Sequence, residues 1–301
     1  MSAPFFSIIT PIHNNGATIF DTLSSVKSQT MDDWEHLIVN DYSSDDSMAK
    51  ALAFTQGDRR FRFLENTDKG GANVCRNIGL QNSKGQFLVF LDGDDLLHST
   101  CLENRKKHLE GTGVQMLISQ TLSYDTGSQK ETGLFNCSPT ISREWIIASF
   151  LKHKILWTTT GVSWEKHFLE SIGGWNENYP RLQDVELNIR ALLNNPRLGF
   201  TNCPDSYLVK SDFTKEKERN AFAGFNLLLR DYYGRVNETA DCAQTDQLYS
   251  EAFGVHIQII MQYWKNLPVG SNDPWGAFFL ETVQEILEEA DYRELKNMLT
   301  S

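Results

Sequence analysis

Apolar positions in this chain follow one rhythm over the first two-thirds and another over the rest. Phe5-Phe6-Ser7-Ile8-Ile9-Thr10 is a continuous apolar run ending at Pro11, as in a buried strand, and Thr18 to Ser28 then carries Ile19, Leu23 and Val26 at helical spacing. The sequence His36-Leu37-Ile38-Val39 reads as a second strand, and the turn Asn40 to Asp45 supplies Ser and Asp to cap a helix running to about Phe54. Phe61-Arg62-Phe63-Leu64 is a third strand, Gly70-Gly71 opens a helix through Leu80, and Gln86 to Leu91 is the most strand-like run in the chain. Strands alternating with helices predict a parallel α/β sheet, whose ligands bind at the carboxyl ends of its strands.

Between Val114 and Leu134 the pattern predicts two strands joined by a turn near Asp125-Thr126-Gly127. A helix at about Arg143 to Leu151, a strand at about Trp157 to Trp164, a loop at Gly173-Gly174-Trp175, a helix from Gln183 to Leu193 and a short strand at Tyr207-Leu208-Val209 follow. Beyond about Phe213 the pattern is helical throughout. Phe222, Phe225, Leu229 and Tyr232 make one stripe, Leu248, Ala252, Val255 and Ile259 a second, and Trp275, Phe279, Val283 and Ile286 a third, with a break at Leu267-Pro268-Val269-Gly270. The expected organisation is an α/β domain over residues 1–212 and a helical appendage over 213–301.

Composition narrows the classes. The chain has 301 residues, 40% hydrophobic and 22% charged, which is ordinary for a globular protein. A net charge of −11 with no long Lys/Arg run argues against nucleic acid as a partner. Five scattered cysteines without a Cys-x-x-Cys pair give no zinc knuckle or disulfide framework and suit a reducing compartment. No segment reads as a signal peptide or a membrane span, so the expected location is cytoplasmic, a setting compatible with peripheral membrane association.

The strongest chemical signal is Asp92-Gly93-Asp94-Asp95, directly after the strand ending at Leu91. Three carboxylates at a strand end repel one another unless a cation sits among them. A hard divalent ion, Mg²⁺ or Mn²⁺, meets that need and bridges to phosphate oxygens. The Gly is expected to relax the backbone. The helix bearing Arg76 and Asn77 can present a cation and an amide to the same edge.

On these residues the chain resembles the family 2 glycosyltransferases of the GT-A fold, a Rossmann-like mixed sheet flanked by helices. Four pieces occur in the family's order: Thr10-Pro11-Ile12-His13-Asn14; Val39-Asn40-Asp41-Tyr42-Ser43-Ser44-Asp45, with Tyr42 where Gly is usual; Gly70 to Leu80, with Cys75 in an Ala position; and Phe90 to Asp95, the Asp-x-Asp signature. Farther on, Ile172-Gly173-Gly174-Trp175-Asn176-Glu177 is similar to the family's Gly-Gly-Phe-Asp-Glu loop. The segment Leu182 to Leu187, with Arg190, resembles its Glu-Asp helix start, Gln183 replacing the Glu. The likeness fades beyond about Tyr207.

The resemblance implies a metal-dependent inverting transfer of a sugar from a nucleoside diphosphate donor, a UDP-sugar, to the hydroxyl of a glycan or lipid-linked glycan. It implies that Pro11 and His13 line the nucleobase pocket and that Asp41 hydrogen-bonds the base. Arg76 and Asn77 would lie near the donor, with Asp92 on its ribose or sugar, Asp94 on the metal and Asp184 as general base. Many members carry a late His near the metal; the stretch Val209-Lys210-Ser211-Asp212 has none, and Lys210 is the alternative cation. Trp157 and Thr159, with Gln183, are candidates for the acceptor side, an aromatic with hydroxyls being suited to sugar. Two rival readings remain at this stage: a nucleotide-sugar-binding protein impaired in catalysis, and a sugar nucleotidyltransferase, although the latter's Gly-rich, Arg-bearing first loop is replaced here by Pro11 to Gly16.

Overall fold

The computed structural model describes residues 3–66, 70–125, 130–209, 214–267 and 273–300. Lys210, the turn at Thr126-Gly127 and the break at Pro268 to Gly270 lie outside the described residues. The first half runs β1 (Phe6–Ile12), α1 (Ile19–Lys27), β2 (Trp34–Asn40), α2 (Ser47–Thr55), β3 (Phe61–Glu65), α3 (Gly71–Asn82) and β4 (Phe87–Phe90). Then follow β5 (Leu96–Leu97), α4 (Cys101–Leu109), β6 (Met116–Asp125), β7 (Lys130–Phe135), α5 (Arg143–Leu151), β8 (Val162–Glu165), α6 (Lys166–Ser171), α7 (Gln183–Leu193) and β9 (Leu198–Val209). Four helices close the chain: α8 (Lys215–Glu238), α9 (Ala243–Asn266), α10 (Pro274–Ile286) and α11 (Glu289–Thr300).

Among the described residues the nine strands form one mixed sheet in the order β3-β2-β1-β4-β8-β6-β9-β5, with β7 paired to β6. The first four strands are parallel. Every residue of β1 and of β2 is buried, which accounts for their unbroken apolar runs: helices cover both faces of a parallel sheet, so alternation disappears. One face packs Phe6, Ile8, Leu23, Val26, Trp34 and Ile38 into a single core. Strand order reverses between β1 and β4, the point at which such sheets open a crevice at their carboxyl ends. The ladder between these strands stops at Ile9↔Phe90, so Pro11, two residues on, owes β4 no N–H, and β1 continues through it to Ile12.

The chain folds into two compact units. The first comprises Met1–Ile141, Leu156–Glu177 and Arg190–Ser211; the second comprises Ser142–Ile155, Asn178–Ile189 and Asp212–Ser301. The units interleave along the chain: α5 and the start of α7 group with the C-terminal helices. Inside the second unit, Gly224 of α8 lies so close to the chain before α7 that a Cβ there would stand 2.5 Å from the Arg181 carbonyl oxygen.

Several elements differ from the sequence pattern. The residues 157–161 are turn and bend rather than strand, and β8 begins at Val162. β9 is twelve residues long, not three, because Asn202-Cys203-Pro204 and the register shifts opposite Gln120 interrupt its periodicity. On α9 the buried face is Tyr249, Ala252, Phe253, His256, Ile260 and Trp264, while Val255 is 37% exposed. A count of aliphatic residues misses His256, whose ring nitrogens lie 2.8 Å from the carbonyl oxygens of Leu151 and Phe225.

His36, at the centre of β2, is fully buried and bonded through Nε2 to the Thr10 hydroxyl at 2.8 Å. Burial lowers its pKa to about 3. Its folded pKa is thus below its unfolded value of 6.5, so falling pH favours the unfolded chain between those limits. We expect His36→Phe to flatten the acid limb of a denaturation series from pH 6.5 downward, removing up to about 1.4 kcal/mol per pH unit. Parallel pH profiles for parent and variant would contradict this.

Candidate active site

The carboxyl ends of β1, β2 and β4 bring together most of the residues singled out in the first half. Asp41 follows β2 and is 4% exposed. Its Oδ1 accepts from Asn66 Nδ2 at 2.9 Å and from the Gly70 amide at 3.1 Å, and its Oδ2 accepts from the Gly71 amide at 3.0 Å. Asp41 therefore anchors the start of α3, where amides without helical partners favour an anion. His13 Nδ1 sits 2.6 Å from the Asp41 carbonyl oxygen, which makes Nδ1 the protonated nitrogen and fixes the ring. Pro11 is buried beside it in β1, and His13 is exposed.

Tyr42 explains why this position favours Gly. Its φ is +56°, in the left-handed region, and Asn14 on the facing loop has φ +57°. The two loops are tied together: the Asn14 amide donates to Ser43 Oγ at 3.2 Å, and the Ser44 amide donates to Asn14 Oδ1 at 2.8 Å. Tyr42 is 53% exposed, so its strain is not offset by burial of the ring.

The three carboxyls after β4 have separate fates. Asp92 accepts from Arg76 Nη2 at 2.6 Å; the guanidinium is 3% exposed and lies 4.4 Å above the Trp175 ring. Asp95 is 2% exposed, accepting from the Thr160 hydroxyl and from the Val209 amide, each at 3.0 Å. Burial raises the Asp95 pKa well above the usual carboxylate range, helped by the charges of Asp92 and Asp94, and its two hydrogen bonds join β4 to the 160 turn and to β9. Asp94 is half-buried. Asp94 presents hard oxygen donors of the kind that Mg²⁺ and Mn²⁺ take. Among the described residues no three His, Cys, Asp or Glu side chains form a metal cage.

Gly93 serves for close approach rather than for backbone freedom. A Cβ there would meet the Asn15 side chain at 2.9 Å, while its carbonyl accepts from the Thr18 hydroxyl at 2.7 Å.

Asn77 bonds to the loop that carries Trp175. Its Oδ1 accepts from the Trp175 amide at 2.9 Å, and its Nδ2 donates to the Trp175 carbonyl at 2.9 Å and to Glu177 Oε1 at 2.8 Å. Its amide latches the Gly173-Gly174-Trp175 loop, which Arg190 also holds by donating to the carbonyls of Ile172 and Gly174. Trp157 is fully buried in its turn, and Thr159 is half-buried. The sequence pattern does not single out Trp175 as the platform for Arg76 or Asp95 as a brace. The Gly-Gly-Trp loop and the fourth residue of Asp92-Gly93-Asp94-Asp95 are their only signals.

In the second unit, Gln183 opens α7 and Asp184 follows, with Oδ1 accepting from the Val185 amide at 2.9 Å. The preceding residue, Leu182, has φ +61° and is buried, and its carbonyl accepts from the Glu186 amide at 2.9 Å. A left-handed Leu is a strained conformation retained at the turn that aims this helix.

The sequence profile of Glycosyl transferase family 2 matches residues 7–163. This chain belongs to that family. The chain is similar to the poly(ribitol-phosphate) β-N-acetylglucosaminyltransferase TarP of Staphylococcus aureus, with 42% identity over 117 residues, 38% of this chain and 36% of that protein. The chain spans less than half the length of the first curated relatives it matches. Among solved structures, residues 1–349 of S. aureus TarS in complex with UDP-GlcNAc superpose with a TM-score of 0.71 and 19% identity, covering 97% of this chain and 83% of that one. The mannosyltransferase PcManGT of Pyrobaculum calidifontis, in complex with GDP-Man and Mn²⁺, superposes at 0.58 with 15% identity, covering 99% and 85%. These likenesses establish the GT-A fold for the family 2 chain. Among its described residues no helix is long and apolar enough to cross a membrane.

Proposed function

We propose that this family 2 chain transfers a sugar from a nucleoside diphosphate donor, a UDP-sugar, to a hydroxyl of a glycan or lipid-linked glycan, using Mn²⁺ or Mg²⁺ at Asp94. The observation that carries the reading is the acidic group at the carboxyl end of β4, beside the point where strand order reverses. The UDP-GlcNAc held by TarS, the GDP-Man and Mn²⁺ held by PcManGT and the polymer named for TarP support it. Bound at Asp94, the ion supplies Lewis-acid stabilisation to the departing nucleoside diphosphate.

The chain's own residues do the rest. Arg76 holds Asp92 in one orientation from below, so that the carboxylate meets donor hydroxyls preorganised. A carboxylate has about four acceptor positions. Among the described residues three amide donors meet Asp41, which leaves one acceptor position at Oδ2, suited to the ring N–H of uracil. Asp184, beside the first amides of α7, takes the proton of the attacking hydroxyl. A single displacement then inverts the anomeric configuration.

Base preference tests the donor half of this reading. A site built around one ring N–H rejects bases that leave it unpaired. We expect UDP to bind at least about tenfold more tightly than GDP or ADP, roughly 1.4 kcal/mol. Asp41→Asn, which keeps an acceptor for the α3 amides, should narrow that gap. Equal affinities for the three nucleotides in the parent would sink the assignment.

A further inference from the structure

We infer that the helical unit carries a neutral-sugar subsite at the carboxyl end of α5, formed by Lys152, His153, Glu218, Gln262, Tyr263 and Asn266, which binds the acceptor's sugars beyond the one that reacts. The inference rests on the proposed transfer to a glycan and adds where the rest of that glycan sits.

The cavity has a volume of about 370 Å³ and lies wholly within the second unit, with Ile259 on its wall. That volume is at the small end of the range for ligand pockets, enough for about one or two sugar rings. Its lining suits a polyhydroxylated ligand. Gln262 and Asn266 both donate and accept, as sugar hydroxyls do. Tyr263 presents a half-buried aromatic ring, set 5.6 Å from Phe225, against which the C–H face of a sugar can pack. Burial raises the Tyr263 pKa, so its hydroxyl remains a donor. Lys152 and Glu218 are opposite charges on one small cavity. The near balance favours a neutral ligand over a phosphate.

His153 supplies the independent sign of purpose. It ends α5 with φ +57°, where its amide donates to the Phe150 carbonyl at 2.9 Å and the next amide to Ser149 at 2.8 Å. Helices commonly close this way with Gly, which adopts the left-handed conformation without cost. Here a His occupies the position, its ring 4.9 Å from Phe225 at 72°. Desolvation lowers its pKa, the Asp184 charge acts to raise it, and Arg181 lowers it further. The imidazole on the cavity wall feels the charge of the proposed base, and both residues belong to the second unit.

Two measurements on the full chain test this. Gln262 and Asn266 are exposed on α9, so Gln262→Ala/Asn266→Ala should fold as the parent does. Binding is read by calorimetry with cello-, chito- and maltotetraose, and transfer is read with acceptors of one to four sugars. We expect at least one tetrasaccharide to bind the parent and to bind the double variant about tenfold or more weakly. Acceptor KM should rise by the same factor for tetrasaccharide acceptors and not for monosaccharides. Donor hydrolysis without acceptor, and kcat at saturating acceptor, should hold. A parent that binds a tetrasaccharide but transfers nothing, with binding lost in the variant, keeps the subsite and removes the transfer reading. The subsite is overturned if none of the three sugars binds the parent, if the variant binds and turns over as the parent does, or if monosaccharide acceptors lose as much.

Discussion

Asp184→Asn is expected to keep donor binding and to lose sugar transfer by about 10²–10⁴-fold, the usual cost of removing a general base. A sugar hydroxyl is a poor nucleophile at neutral pH, so its proton must leave as the oxygen attacks the anomeric carbon. Asn has the shape of Asp, and its carbonyl oxygen can still accept from the Val185 amide, which bonds Asp184 at 2.9 Å. The substitution therefore tests proton removal rather than the start of α7. Calorimetry with UDP should match the parent, while product formation falls. The product of the parent reaction, followed by NMR of the anomeric proton, should have the configuration opposite to the donor's. Transfer at the parent rate, or a retained configuration, would show that Asp184 only begins the helix.

For Asp94→Ala the expected loss of donor turnover is about 10²–10³-fold, several kcal/mol of charge stabilisation at the leaving diphosphate. Asp92 and Asp95 are poor substitutes, since one is bonded to Arg76 and the other to Thr160 and Val209. In the parent, Mn²⁺ should tighten UDP binding; in the variant, UDP affinity should be the same with Mn²⁺ and with chelator. A variant whose UDP affinity still rises with Mn²⁺ would place the ion elsewhere.

The first seven elements were legible because each is locally determined: a buried parallel strand is an apolar run, and its helix has a period near four. The Asp-x-Asp cluster was legible for the same reason, being contiguous. What escaped depends on residues far apart in sequence. Asn77 reads as a polar helix residue beside Arg76, and only the folded chain brings it to Trp175, 98 residues away. Trp157 reads as strand because aromatic and Thr residues favour strands, yet Gly161 turns the chain and β8 starts later. Asp95 reads as one of three carboxylates gathered around a cation until Val209, 114 residues on, arrives at 3.0 Å. His256 interrupts an aliphatic stripe, and its two carbonyl partners belong to different helices or their ends.

Gly224 gives the C-terminal helices a history of constraint. The second unit is assembled from three stretches of chain, and α8 reaches the middle one, at Arg181, through a position that tolerates no side chain. A cut near residue 212 would look like a natural seam for recombination, with a catalytic half on one side and an exchangeable helical cassette on the other. The seam is false. A foreign cassette would arrive without the glycine shaped to Arg181 and Leu182, and the strained turn that begins two residues before Asp184 would lose its seat. Variation in this lineage should therefore accumulate by substitution on the outer surfaces of α9 to α11, with α8 and the 178–189 segment inherited together.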